Sequence, residues 1–387
     1  MSRPKVQGWC PGALRPMMSG DGLLVRVRPR SGRLTALQLA EIANLSLKHG
    51  NGFVDFSNRA NLQIRGVTEQ GQEALVEGLR QLELTDDSAE AEATRNILVT
   101  PFWRTGDGVL EIAGELADRL STCSGLPGKF GVAVDIGQET MLQQCSADIR
   151  IERAEDGRKL IVRADGMDRG AKTSVETAAG DATDMARWFV ETGGVTQGRG
   201  RMKEHLQRAN KLPACFSPSV NPARRGARPL PGVCDAGFIA GFEFGQAHAN
   251  QLKLLAEEVE AFRLTPWRLL ILEGADHPPQ IDGLIVTAED VRQSVSACTG
   301  KPGCMQAAAQ TRPLARQLAS HVPAGKHLHV SGCAKGCAHP AATDFTLIAR
   351  QVGFDLVCNG KSGDRPVLEN LASDQISMSP NMIFGAG

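Results

Sequence analysis

Two closely spaced pairs of cysteines are the feature that most constrains this chain. Cys298 and Cys304 enclose five residues, and Cys333 and Cys337 enclose three, in a chain of 387 residues. Four thiolates are the ligand set of a [4Fe-4S] cluster. Structural zinc sites favour cysteine pairs separated by about two to four residues, so the longer spacing favours iron-sulfur over zinc. We therefore predict that these four side chains meet and hold one cluster.

The residues around the cysteines suit such a site. Glycines would let backbone N–H groups turn toward the sulfur atoms of a cluster, which raises its reduction potential. They stand beside both pairs, at Gly300, Gly303, Gly332 and Gly336. Lys301 and Lys335 add positive charge. Five other cysteines have no partner at ligand spacing and are assigned to core or surface, while Cys10 stays without a role: Cys123, Cys145, Cys215, Cys234 and Cys358.

Composition narrows the class of protein. The polar segment Met1–Gln7 has no apolar secretion signal, and no stretch is apolar enough to span a membrane. The formal net charge is zero, aromatic residues make up 4%, and tyrosine is absent, which disfavours nucleic acid as a partner. We expect a cytoplasmic protein with no membrane or nucleic-acid partner, in which ten cysteines serve as ligands or thiols rather than disulfides.

The N-terminal part of the chain predicts a β-α-β-β unit. Residues 23–28 alternate as a strand does, and Thr35 with Gln38 forms a capping box for a helix that ends near Gly50. Two further strands are predicted at 53–56 and 62–65.

A weaker copy of this unit follows a little over 200 residues later. A strand is predicted at 237–244 and another at 267–272, with a helix between them that Asn250 caps. This helix is predicted to carry Leu252, Leu255, Val259 and Phe262. The long period favours two pseudo-symmetric halves that pack together over a solenoid.

The remaining segments predict a hairpin and a cysteine-bearing block. Asp156-Gly157 marks the turn between strands at 149–154 and 160–163, a helix covers 184–191, and 212–232 is a linker or lid. In the last block we predict a helix that begins at Thr287 and ends near Cys298, and another after Pro313. Strands are predicted at 327–330, 344–349 and 354–357.

These elements indicate an α+β fold (α/β mixed) with mixed sheets. Its two halves are related by a pseudo-twofold axis and contain ferredoxin-like β-α-β units. We predict three domains. The first is formed by two ferredoxin-like half-domains, 18–75 and 233–285, the second spans 90–225, and the third, which binds the cluster, spans 286–387.

Four motifs link the chain to a known superfamily. They are Ser331–Pro340, which contains the second cysteine pair, together with 58–63, Arg95-Asn96 and 126–130. In these motifs the chain resembles the siroheme-dependent nitrite and sulfite reductases and, more closely, their relatives the precorrin-3B synthases. The resemblance covers nearly the whole chain and implies a sulfite-reductase-like fold. In the reductases the last cysteine, here Cys337, also bridges to the siroheme iron.

Two features favour the synthases over the reductases. The reductase pattern carries two lysines around a phenylalanine, whereas here Lys129 is followed by Phe130 and Gly131. The opening segment from Cys10 to Gly22 also resembles the synthases. A siroheme-dependent nitrite or sulfite reductase remains an alternative, and a zinc-stapled binding protein without redox chemistry is a third.

The resemblance to the synthases implies a reaction. Precorrin-3A would occupy the cavity that siroheme fills in the reductases, and O2 would hydroxylate its macrocycle at C20 before a γ-lactone forms. The cluster would relay electrons from NADH through an external reductase, because no Gly-x-Gly-x-x-Gly motif opens a helix here. The family is also thought to use a mononuclear non-haem iron. His327, His329 and His339 are candidates by position alone, so we predict no iron ligands.

Basic residues would bind the carboxylates at the rim of a tetrapyrrole, since arginine matches a carboxylate through two hydrogen bonds. The best candidates are Arg59 and Arg95, followed by Lys129, Arg26, Arg28 and Arg65. For Arg26 and Arg28 a solvated strand face is an equal alternative.

Overall fold

The computed structural model describes residues 11–208 and 211–385. Cys10 lies outside the described residues, so the N-terminal motif is described only from Pro11. In the described residues the strands are β1 (Met17–Ser19), β2 (Gly22–Val27), β3 (Arg33–Thr35), β4 (Phe53–Phe56), β5 (Leu62–Val67), β6 (Ile97–Val99), β7 (Val132–Asp135), β8 (Ile149–Arg153), β9 (Leu160–Ala164), β10 (Ala171–Thr173), β11 (Gly232–Cys234), β12 (Gly237–Phe242), β13 (Gln246–His248), β14 (Ala261–Leu264), β15 (Leu269–Glu273), β16 (Leu284–Ile285), β17 (Val295–Ala297), β18 (Leu328–Ser331), β19 (Thr343–Ala349), β20 (Phe354–Gly360) and β21 (Leu368–Leu371). The helices are α1 (Ala36–His49), α2 (Gln72–Gln81), α3 (Ala89–Thr94), α4 (Val109–Ser121), α5 (Ala178–Glu191), α6 (Met202–Gln207), α7 (Ala249–Glu258), α8 (Arg312–Leu318), α9 (Ser373–Met378) and α10 (Asn381–Phe384).

Two antiparallel sheets form the interlocked centre of the molecule. One has the order β1-β2-β5-β4-β13 and the other β11-β12-β15-β14-β3, with β16 added beside β12. Each sheet takes its last strand from the other half of the chain: β13 pairs with β4, and β3 pairs with β14. Helices α1 and α7 pack against each other. The exchange confirms the predicted pseudo-twofold relation between the halves.

The two other sheets repeat one mixed pattern. Strands β6, β7 and β8 are parallel, and β9 and β10 complete that sheet in antiparallel orientation. Strands β17, β18 and β19 are likewise parallel, followed by antiparallel β20 and β21. The mixed α+β class is therefore confirmed. The division into domains at the residues given above stays a prediction.

Several short-range signals in the sequence match the structure. The hydroxyl of Thr35 accepts from the amide of Gln38 and the side chain of Gln38 accepts from the amide of Thr35, so the predicted capping box opens α1. Strand β4 covers 53–56 as predicted. The hairpin around Asp156-Gly157 is also present, formed by β8 and β9.

The helix of the second unit was predicted too long. Helix α7 is capped by His248 rather than Asn250 and ends at Glu258. Phe262 lies in β14, which is buried between β15 and β3. A buried strand is apolar on both faces, so its sequence cannot be told from a buried helix by periodicity.

The predicted helix from Thr287 to Cys298 is wrong. The chain makes one 3-10 turn at Val291–Ser294 and then enters β17. The carboxylate of Asp290 accepts from both the amide and the guanidinium of Arg292, which closes a local turn. Strand β17 is then fixed by parallel pairing with β18, a contact remote in sequence.

Among the described residues, no helix is both long and apolar enough to cross a membrane.

Candidate functional site

The two cysteine loops meet at one edge of the β17-β18-β19 sheet. Cys298 follows β17 directly, and Cys333 lies in the loop that follows β18. Because these neighbouring strands are parallel, their carboxyl ends lie side by side. Cys304 and Cys337 complete the set, and all four cysteines line one cavity of about 360 Å³.

Backbone contacts hold the two loops together. The amide of Gly332 donates to Sγ of Cys298 over 3.1 Å, and the amide of Ala308 donates to the carbonyl of Gly332 over 2.8 Å. A Cβ at Gly332 would lie 2.7 Å from Cβ of Ala307. Glycine is therefore required at this close approach.

Burial affects the chemistry of the thiols. It raises the pKa of Cys333 and of Cys337, and the other cysteines of the site raise both further, while Lys335 lowers them. Iron binding would therefore have to displace protons from the site, as it does wherever thiolate is the ligand.

The four thiols line the cavity together. Among the described residues, no group of three or more His, Cys, Asp or Glu side chains is arranged to hold a single metal ion. A zinc ion needs its sulfur ligands at about 2.3 Å from one centre. Four thiols that line one cavity, one of them accepting an amide hydrogen bond, are the donor set that suits a cluster.

The lining of the cavity is cationic. The cavity has six cationic side chains and one carboxylate, Asp55: Arg26, Arg65, Lys129, Arg268, Arg312 and Lys335. Apolar side chains, among them Met17, Phe56 and Phe244, also line it. A flat ligand with several carboxylates matches this combination.

Arg65 links the first half of the chain to the first cysteine loop, 298–304. Its guanidinium binds both oxygens of Asp21 at 2.9 Å and Asp55 at 3.2 Å, and donates to the carbonyl of Gly303 over 2.7 Å. Ser19 donates to the same carbonyl over 2.6 Å. Asp55 also binds Arg312 at 3.3 Å.

The predicted basic residues divide into two groups. Arg26, Lys129 and Arg65 line the cavity, as the carboxylate-binding prediction requires. Arg28, Arg59 and Arg95 do not line it.

These three arginines have other partners. Arg95 forms a two-bond ion pair with Asp86 at 2.8 Å, and Arg59 donates to the hydroxyl of Ser146 over 3.2 Å. Arg28 is 5% exposed and donates to the carbonyls of Glu92 and Pro11. Its burial excludes the solvated strand face for this residue.

Two cavity cations were missed from sequence. Arg312 opens α8 ahead of Pro313, and its Nε has no hydrogen-bond partner in the part of the chain that the structure describes. Arg268 lies in the short turn before β15. Neither belongs to a motif, so no pattern in the sequence marked them.

Three histidines cluster behind the second cysteine loop. The ring of His339 lies 5.0 Å from that of His327 and 5.9 Å from that of His329. Burial lowers the pKa of His327 to about 4 and that of His329 to about 3, with His339 adding to both shifts. His327 contacts Ser296 at 2.8 Å, whereas neither ring nitrogen of His329 has a partner among the described residues. These neutral rings are not arranged as ligands of one ion.

Comparison with known proteins agrees with the fold. The family model described as the nitrite/sulfite reductase ferredoxin-like half domain matches residues 15–82. A curated relative named precorrin-3B synthase, from Sinorhizobium sp, is 29% identical over 93% of this chain and 84% of its own length. A ferredoxin--nitrite reductase from Leptolyngbya laminosa is 21% identical over 96% of this chain and 90% of its length. The solved NirA protein of Mycobacterium tuberculosis has the same fold, with a TM-score of 0.63, 16% identity, and coverage of 93% of this chain and 79% of that one.

The interlocked ferredoxin-like halves, the two mixed sheets and the cavity between them define an oxidoreductase with a sulfite-reductase-like fold. The chain is similar to the nitrite/sulfite reductase ferredoxin-like half domain over residues 15–82 and to precorrin-3B synthase along most of its length.

Proposed function

We propose that this protein is an oxygen-dependent monooxygenase that converts precorrin-3A to precorrin-3B in aerobic cobalamin synthesis. The observation that carries the proposal is the 29% identity to the curated precorrin-3B synthase over 93% of the chain. The cavity supports the proposal, because six cationic side chains and only one carboxylate line it. A precorrin carries acetate and propionate groups around its rim, which such a lining would bind.

We further propose that Cys298, Cys304, Cys333 and Cys337 hold a [4Fe-4S] cluster. Their common cavity and the amide hydrogen bond to Cys298 support this assignment. When bound, the cluster would pass electrons one at a time to the reaction.

The proposed reaction needs electrons from outside. One oxygen atom of O2 enters the macrocycle at C20 and the other leaves as water, which consumes two electrons from a donor such as NADH through a separate reductase. A ring acetate then closes the γ-lactone. In this reaction the protein binds the macrocycle through its cations and shields it from water. We place the reaction in the cytoplasm, and no residues are assigned to a mononuclear iron.

A siroheme-dependent nitrite or sulfite reductase is the second candidate, and one contact disfavours it. A Cβ at Gly131 would lie 2.6 Å from Nδ2 of Asn96, whose amide group donates to the carbonyl of Phe130 over 2.9 Å. The second lysine of the reductase pattern would have to occupy this position. It could do so only if Asn96 moved and its hydrogen bond broke.

Absorption and EPR spectra of anaerobically purified protein, with iron and zinc analysis, test the proposal. A broad cluster band without a tetrapyrrole Soret band is the expected result, because the macrocycle would come and go as substrate. A tightly bound siroheme spectrum would transfer the assignment to nitrite or sulfite reduction. Zinc without iron would exclude both.

A further inference from the structure

Arg268 places a cation in the wall of the cavity. It lies in the turn between β14 and β15 and lines the same cavity as the four cysteines. In the described residues its guanidinium makes no hydrogen bond or ion pair with another side chain. Arg65 and Arg312, by contrast, each bind Asp55.

The backbone holds this arginine in an uncommon conformation. Arg268 has a φ of 61°, in the left-handed region that residues other than glycine seldom adopt. A Cβ at Gly245 would lie 2.7 Å from Cβ and Cδ of Arg268, so the stem of the arginine packs directly on the glycine. Such a conformation persists where the surrounding structure enforces it, and it is common at ligand sites.

The other half of the molecule shows that the turn does not require an arginine. The pseudo-symmetric turn between β4 and β5 has Ala60 at the matching position, with a φ of 52°. Gly32 takes the place of Gly245, and a Cβ there would lie 4.0 Å from Cβ of Ala60. An alanine side chain is therefore sufficient for this backbone conformation. The turn alone does not explain the guanidinium of Arg268, which lines the cavity that the cysteines also line.

Among the described residues, the one carboxylate that lines the cavity together with Arg268 is already paired. Burial lowers its pKa, and Asp55 raises it in opposition. Asp55, however, is already bound by Arg65, Arg312 and Gln246. Cys298 and Cys337 also raise the pKa of Arg268 through electrostatic attraction. A desolvated cation without a partner is unfavourable, so an anion at this position would be bound strongly.

We infer that Arg268 binds a carboxylate of the tetrapyrrole at the end of the cavity that the cysteines line. The inference rests on the proposed function and adds a substrate-binding residue to it. The planar guanidinium would grip the carboxylate through two hydrogen bonds, which fixes one edge of the macrocycle against Cys298 and Cys337.

Binding of uroporphyrin, a stable tetrapyrrole with acetate and propionate groups, tests the inference on the anaerobic, cluster-loaded protein. We expect Arg268→Gln to weaken binding by about 10- to 100-fold, because hydrogen bonds to a charged group are lost. Arg268→Lys should recover part of the affinity, since lysine keeps the positive charge but cannot make the two parallel hydrogen bonds of a guanidinium. Arg316→Gln, which removes an exposed arginine paired with Glu243, is the control and should bind as the wild type does.

The outcomes separate the two proposals. Tight binding by the wild type and equal binding by Arg268→Gln, with an unchanged cluster EPR signal, would overturn the role of Arg268 and leave the proposed function intact. Failure of the wild type to bind uroporphyrin would count against the tetrapyrrole cavity itself. If Arg268→Gln loses its cluster, the affinity of Arg268→Lys for uroporphyrin is decisive. Weaker binding than the wild type supports the inference, and binding equal to the wild type overturns it.

Discussion

The amide of Gly332 donates a hydrogen bond to Sγ of Cys298 over 3.1 Å. These residues follow the adjacent parallel strands β18 and β17, so the bond joins the two cysteine loops that the proposed cluster would bridge. An amide that points at a cluster sulfur stabilises the more negative, reduced state and raises the reduction potential.

Gly332→Ala should disturb this contact. The new Cβ would lie 2.7 Å from Cβ of Ala307 and 3.4 Å from Sγ of Cys298, so the loops would have to separate. We expect a lower reduction potential and reduced iron content, with a stability loss of about 1–3 kcal/mol. Potentiometric EPR titration and iron analysis measure both. Gly363→Ala is the matched control because nothing lies within 4 Å of its Cβ; equal behaviour of the two variants would contradict the prediction.

Cys333→Ser should abolish the cluster and turnover. Serine is a poor ligand for the soft iron of a cluster, and three thiolates hold it less firmly than four. The checks are iron content, the visible cluster band and the EPR signal. Cys215→Ser serves as control, because Cys215 is exposed and does not line the cavity. An intact cluster spectrum with retained activity in Cys333→Ser would show that the ligand assignment is wrong.

Arg65→Met should destabilise the protein strongly. The side chain is 4% exposed and binds Asp21, Asp55 and the carbonyl of Gly303, so its removal leaves Asp21 without its cation and takes one of two cations from Asp55. Loss of one partner from a buried ion pair costs about 3–5 kcal/mol. Chemical unfolding measures this cost.

The control for Arg65 is Arg80→Met. Arg80 is 58% exposed and pairs with Glu77 on the surface of α2, where such pairs contribute about 0–1 kcal/mol. A loss at Arg65 no greater than that at Arg80 would mean that the buried network does not join the first half to the cysteine loop.

Asp135→Asn should change how stability depends on pH. Burial raises the pKa of Asp135 to about 7, and nearby Glu152 adds to the shift, while the amides of Leu142 and Met141 oppose it. The folded protein thus holds this proton more tightly than the unfolded chain, in which the pKa is about 4. The stabilising effect is complete below pH 4 and is lost as the pH rises to 7, by up to about 4 kcal/mol.

Chemical unfolding at several pH values between 4 and 8 tests this. Asp135→Asn should be less sensitive to pH than the wild type over that range, because the asparagine stays neutral. Asp118→Asn, at an exposed position of α4, should leave the wild-type profile unchanged. A profile for Asp135→Asn that matches the wild type would rule out Asp135 as the titrating group.

Local signals in the sequence predicted much of the fold. The capping box of Thr35 and Gln38, the hairpin at Asp156-Gly157 and strand β4 are set by neighbours within a few residues, so they could be read in advance. Strands β14 and β17 could not, because each is short and mostly buried and has a pairing partner far away in the sequence, β3 for β14 and β18 for β17.

The cysteine pairs were also evident from spacing alone, and in the structure they line one cavity, while their role as cluster ligands stays a prediction. Sequence determined the chemical types present at the site: four thiols, flanking glycines and an excess of basic residues. It did not determine which cations face the thiols. Arg95, one of the best candidates, binds Asp86, whereas Arg268 and Arg312, which no motif marked, line the cavity. The direction of a long charged side chain depends on which half of the chain packs opposite it, and only the tertiary pairing of the two halves decides that.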